Sequence, residues 1–349
     1  MPLISSLGVM NAINFGMASA NKSSPSIIAF ASSNLPYIQA YNWGSGIGTV
    51  YTDPSTIPAG ISREARFNNT GTQIASAHLT TPFVTVYPWS AGFGAKYANP
   101  STLPSGDSYG VSFSPNNNYL ALSNSVTPFV TVYPWSNGFG SKLTSPSTLP
   151  GGIGNRVIFN PAQTDIVVAH NTTPFISAYP WSTGFGTKYN NPSTLPTGNG
   201  NGITFNPAGT IMAVAHTTTP FISTYPWTSG TGFGTKISDP STLPAGDGNT
   251  PAFNPMGTDI AITNGASPFV STYPWNSGFG TKYADPATLP LSLGRGLSFS
   301  PNGDSIAVGF TVTPSVYTYT WTSGTGFGVK YANPTTTPLT NILSISFKK

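Results

Sequence analysis

Three histidines, His78, His170 and His216, are the residues of this chain best suited to metal ligation or to proton transfer near neutral pH. Each falls eleven residues after a phenylalanine: Phe67, Phe159 and Phe205. The equivalent positions elsewhere carry Asn124, Asn264, Ser32 and Phe310. A zinc site needs its ligands to converge, with carboxylate or further histidine support. Residues on separate, evenly spaced repeats do not converge. The histidines therefore read as polar side chains that cap turns and exchange with Asn, and no metal ligand is assigned. Of the nine acids only Glu64 is glutamate. Asp53, Asp239 and Asp285 precede prolines, while Asp165, Asp259 and Asp304 fall in short turns. They read as turn formers rather than as a pair of carboxylates flanking a scissile bond. Ser and Thr abound, but without a local base they are poor nucleophiles. These residues alone predict no catalytic group, no cofactor and a non-enzymatic protein.

The elements that position these residues follow one metre. The seven tryptophans, Trp43, Trp89, Trp135, Trp181, Trp227, Trp275 and Trp321, are 46 residues apart, with a single gap of 48 after Trp227. An Asx-Pro or Ser-Pro pair follows each, from Asp53 and Asn99 to Asn333, and such pairs start turns. A period of this length with several short strands and dense turn signals marks a β-propeller blade. One unit divides into an inner strand at 110–113, a second at 119–124, a third at 129–135 and an outer strand at 138–143. Pro88, Pro134, Pro180, Pro226 and Pro274 stand just before Trp, where proline removes a ladder donor, so the third strand should end or bulge there. The N-terminal unit has a second strand (27–32) and a third (36–43) but no inner strand, and residues 344–347 at the other end supply it. The expected fold is all-β: a seven-bladed β-propeller over residues 25–349, with four-stranded blades and a ring closed by that C-terminal strand.

"FSPNG" (299–303), "FNPAG" (205–209) and "FNPMG" (253–257) resemble the Phe-Ser-Pro-Asp-Gly turn of WD-repeat propellers, and a Trp after an alternating strand resembles them too. The Trp is never followed by Asp and the Gly-His pair is absent, so that family's hydrogen-bond tetrad is not carried over. The phrasing of "YPWSTGFGTKYNNPSTLP" (179–196) is similar to Thr/Asn/Gly-rich propellers of tailed bacteriophage particles. That resemblance implies a virion component, a capsid decoration or a tail or fibre part, with adhesion to the host surface as an accompanying role.

The repeats disagree most four residues before each strand-ending Phe: Arg63, Tyr109, Asn155, Asn201, Asn249, Arg295 and Leu343. The chain enters the inner strand there, near one mouth of the central channel. The first six are the candidate ligand-binding residues, suited to a small polar or anionic group or a sugar. The competing reading is a solvated loop. Six lysines also keep the period, Lys96, Lys142, Lys188, Lys236, Lys282 and Lys330, and read as edge protection or as a belt that docks on an anionic surface. Residues 1–24 lie outside the period and carry Leu7, Val9, Ile13 and Phe15, which read as anchors into a partner.

Charged residues are only 6% of the 349, and the dispersed lysines behind a net charge of +4 argue against nucleic acid. Without Cys there is neither disulfide nor thiolate site. No run approaches the 18 apolar residues of a membrane span, and the N-terminal segment lacks the basic region of a secretory signal. The sequence taken alone thus favours a structural and binding protein of a virus particle, held to other virion proteins by residues 1–24. The alternative is a secreted or surface lectin-like module that binds glycans.

Overall fold

The computed structural model describes residues 26–336, 338 and 340–348. The arm at 1–24, with its expected anchors Leu7, Val9, Ile13 and Phe15, lies outside the described residues.

Seven antiparallel sheets make the seven blades, and no helix occurs among the described residues. Blades two to seven each begin with an inner strand: Ser62–Phe67, Ser108–Phe113, Gly154–Phe159, Gly200–Phe205, Gly248–Phe253 and Gly294–Phe299. Second strands such as Gln73–His78 and Asp165–His170 are buried along their whole length, because neighbouring blades cover both faces. Blade one takes its inner strand from the C-terminal end. Ile342–Phe347 pairs with Ser26–Ser32, matching Ile28 with Phe347 and Phe30 with Ile345. Lys348 N–H donates to Ile27 O at 2.8 Å beyond them. The Phe347 ring meets Trp43 edge to face, 5.0 Å between centroids.

The outer strand differs among blades. It is five residues long in blade one (Gly46–Val50) and blade seven (Gly326–Lys330), two residues long in blade five (Gly232–Phe233), and a lone Trp–Phe bridge in the other four. The residue before Trp explains this. It is Asn42 in blade one and Thr320 in blade seven, which keep their N–H, and proline everywhere else. Proline supplies only its carbonyl to the outer segment, as where Gly94 N–H donates to Pro88 O. Blade five recovers a short strand because its two extra residues allow a wider hairpin ending at Thr228 and Gly232.

Aromatic side chains hold the blades together. Trp181 touches Phe159 and Phe185 of its own blade and Tyr119 of the blade before, all edge to face at 5.1–5.2 Å. Such a pair is worth about 1 kcal/mol beyond the area it buries. A buried tyrosine in the third strand donates its hydroxyl to the link leading into its blade: Tyr87 to Thr56 O, Tyr133 to Thr102 O, and so on to Tyr319 and Thr288 O. Asp165 and Asp259 do more than shape turns. Asp165 is fully buried and accepts from Asn160 Nδ2, from Tyr189 OH at 2.6 Å and from Trp227 Nε1 of the next blade at 3.2 Å.

Five of the six repeating lysines are tied down too, Lys142 being the exception among the described residues. Lys188 and Lys330 donate to Asn191 and Asn333, and Lys236 and Lys282 pair with Asp239 and Asp285, each three residues on. They brace the outer turn.

Candidate functional site

Six predicted residues, Arg63, Tyr109, Asn155, Asn201, Asn249 and Arg295, come together around one cavity of about 70 Å³, joined by Arg156, Thr250 and Leu343. The local cause is a repeated irregularity. In blades two to five the pairing register slips between the first and third residues of the inner strand, as between Ser62 and Glu64 or Gly154 and Arg156. The residue in the slip, Arg63 or Asn155, is left out of the ladder. A bulge of this kind re-aims a side chain, here into the channel mouth. The slip spans Asn249 in blade six and Arg295 in blade seven.

The asparagines are fixed by the next blade. Asn155, Asn201 and Asn249 each donate Nδ2 to a glycine carbonyl, that of Gly200, Gly248 and Gly294, at 2.8–2.9 Å. Their Oδ1 atoms meet no protein donor among the described residues, so they remain as acceptors. The Arg63 guanidinium lies 5.2 Å from the centre of the Tyr109 ring.

Glu64, which sequence reasoning passed over, organises the cations. It is 1% exposed. Its Oε1 accepts from Arg66 Nε at 2.7 Å, and its Oε2 lies 2.8 Å from Arg156 Nη1, at an angle outside hydrogen-bond geometry. The Val111 N–H donates to the same Oε2 at 2.9 Å. Glu64 and Arg156 occupy the same register in blades two and four, with Gly110 of blade three between them. A Cβ on Gly110 would stand 3.0 Å from Arg156 Cα and 3.2 Å from Glu64 Oε2, so the bare backbone there lets the pair meet. Two charges of opposite sign flanking a glycine at one register was the signal available in the sequence.

All four arginines of the chain line the channel: Arg63, Arg156 and Arg295 at the narrow mouth, and Arg66 in a wider cavity of about 810 Å³ at the other end. Burial, then the charges of Arg156 and Arg295, bring the Arg63 pKa down to about 10, so it stays charged at neutral pH. Burial and Arg156 lower Arg295 as well. Burial pushes the Glu64 carboxyl up, but Arg156, Arg66 and the Val111 N–H outweigh it and hold the group below its usual range. Three cations against one ionised carboxylate leave the narrow mouth with an excess of positive charge.

The histidines lie elsewhere. His78 Nε2 is 2.9 Å from Thr85 Oγ1, and His170 and His216 make the same contact with Ser177 and Ser223 at 3.0 Å. Each braces the turn between second and third strands, and none lines the mouth.

No known protein family and no curated protein matches the chain. Solved structures do. A candidate 6-phosphogluconolactonase from Bacteroides fragilis superposes with a TM-score of 0.75 at 13% identity, over 95% of this chain and 100% of that one. The periplasmic gluconolactonase of Pseudomonas aeruginosa gives 0.71 at 14%, over 93% and 99%. The propeller domain of Cps50 (Swd1) from Myceliophteria thermophila gives 0.61 at 13%, over 84% and 92%. The lactonase names overturn the expectation of a non-enzymatic virion component or lectin-like module, and with it the exclusion of an enzyme. That expectation rested on Thr/Asn/Gly phrasing, which the blade turns explain, and on a search for catalytic groups within single repeats. At this level of identity the likenesses speak for architecture: the chain is a seven-bladed β-propeller with a WD-repeat-like fold.

Proposed function

We propose that the chain is a hydrolase of small, anionic, sugar-derived lactones, and that the narrow mouth binds the substrate's anionic group. The observation behind this reading is the convergence of Arg63, Arg156 and Arg295 around a cavity that also presents asparagine acceptors. A volume of about 70 Å³ accommodates a phosphate or carboxylate with a few waters, leaving the rest of the substrate at the rim. Guanidinium donors suit the anion, and the free Asn155, Asn201 and Asn249 Oδ1 atoms suit ring hydroxyls. The lactonase names of similar structures supply the reaction class.

Water adds to the lactone carbonyl, the ring C–O bond breaks, and the products are a carboxylate, a hydroxyl and a released proton. The site contributes positioning: the arginines hold the anionic group and so fix the lactone carbonyl at the rim, where water reaches it. Glu64 is a positioning residue here, since its oxygens are committed to Arg66, Arg156 and Val111.

Hydrolysis of a phosphorylated aldonolactone, followed in a pH-stat against the spontaneous rate, tests the reading. Loss of one charge-assisted contact in R63A or R295A should lower kcat/KM about tenfold or more. A wild-type rate equal to the spontaneous rate for phosphorylated and plain sugar lactones alike overturns it.

A further inference from the structure

We propose that the wide end of the channel is a second ligand site, separate from the narrow mouth, which takes a carboxylated polyol with Arg66 as its anion clamp. Its volume, about 810 Å³, falls within the range typical of small-molecule sites. Among the described residues, Arg66 is the only charged one on its wall. Its Nε is committed to Glu64, whereas its two Nη groups have no protein partner among the described residues, and 40% of the side chain is exposed. Glu64 therefore holds the guanidinium from behind and leaves its outer edge facing the channel. That edge is the part that takes a carboxylate through two parallel hydrogen bonds. Arg66, Glu64 and Arg156 together carry a net charge of +1 (two cations, one anion), which suits a single carboxylate.

The rest of the wall fits hydroxyl groups. Ser112, Thr204 and Ser298 each donate their hydroxyl to the following phenylalanine carbonyl at 3.2–3.3 Å, which leaves oxygen lone pairs as acceptors. Ser346 Oγ accepts from Phe67 N–H, which leaves its own proton to donate. The site thus combines one cation with neutral donors and acceptors. It stands independently of the lactonase reading, which depends on Arg63 and Arg295.

The test is calorimetric titration of the full chain with D-gluconate and with D-glucuronate, using glucose as the uncharged control. The expected result is saturable binding of a sugar acid with glucose about tenfold weaker or worse. R66M should weaken the sugar acid about tenfold or more, and R295A should leave it within about twofold. S112L, which sets a bulky apolar side chain at the register next to Arg66 while keeping the Arg66–Glu64 pair, should also weaken binding about tenfold or more, and it preserves the test if R66M unfolds. Circular dichroism melting checks each variant's fold. Absence of saturable binding up to about 10 mM overturns the proposal. So does binding that R295A removes and R66M keeps, because the sugar acid would then occupy the narrow mouth.

Discussion

Glu64 holds two arginines that face different cavities, so its removal should be felt in stability as well as in the site. In E64Q the side chain of Arg156, 13% exposed, loses its counter-charge beside Arg63 and Arg295. One-sided loss of a buried pair costs several kcal/mol, but the half-exposed Arg66 can turn to water, so we expect about 2 kcal/mol, read as a lower denaturant midpoint. Because the folded carboxyl is held below its ordinary value of 4.5, its stabilisation is present above that pH and is lost as the pH falls further. The histidines act in an earlier window. Burial lowers His78, His170 and His216 from 6.5 to about 4, so the unfolded chain takes up protons first as the pH falls between those values. Stability should decline across that window. A chain carrying H78N, H170N and H216N should show a flatter profile there in pH-dependent thermal melts. Blade three already works this way, where Asn124 Oδ1 accepts from Thr131 at 2.8 Å.

Among the elements, the third strand shows most directly how the sequence builds a blade. Its tyrosine is buried with its hydroxyl bonded to the incoming link. Tyr225→Phe would leave Thr194 O without that donor, now 2.9 Å away. The expected cost is about 1–2 kcal/mol, measured by urea unfolding, with the fold retained. The tryptophan metre was legible because that side chain sits at the same inter-blade position in every repeat, where a smaller residue would leave a void. The proline before it announced where the third strand ends. The weakening of the outer strand in four blades is the same effect carried one strand further. The mouth residues were legible as positions of disagreement among the repeats, but the bulge that aims them was not, since a register slip depends on both paired strands. Glu64 stayed hidden because its partner Arg156 lies two blades away and meets it only where the blades converge on the axis.

For the whole molecule, the repeat dictates most of the composition, and the composition is therefore a poor guide to activity. The arginine cluster is assembled across blades: no single repeat contains it. Closure is shared between the two ends of the chain. Deleting 342–349 should expose the edge of Ser26–Ser32, whose residues beyond Ser26 are buried, and strip Trp43 of Phe347. Gel filtration should then show association or aggregation in place of a monodisperse species.

The same closure sets an order of events during synthesis. The stretch that lies against Ser26–Ser32 is encoded about three hundred residues later, as the separation of 308 between Ser32 and its partner Thr340 records. At translation speeds of about 5–20 residues per second, that stretch emerges roughly 15–60 s afterwards. Blade one, the earliest to leave the ribosome, is the last to be completed, and throughout that interval its unpaired margin must be kept from the strands of other nascent chains.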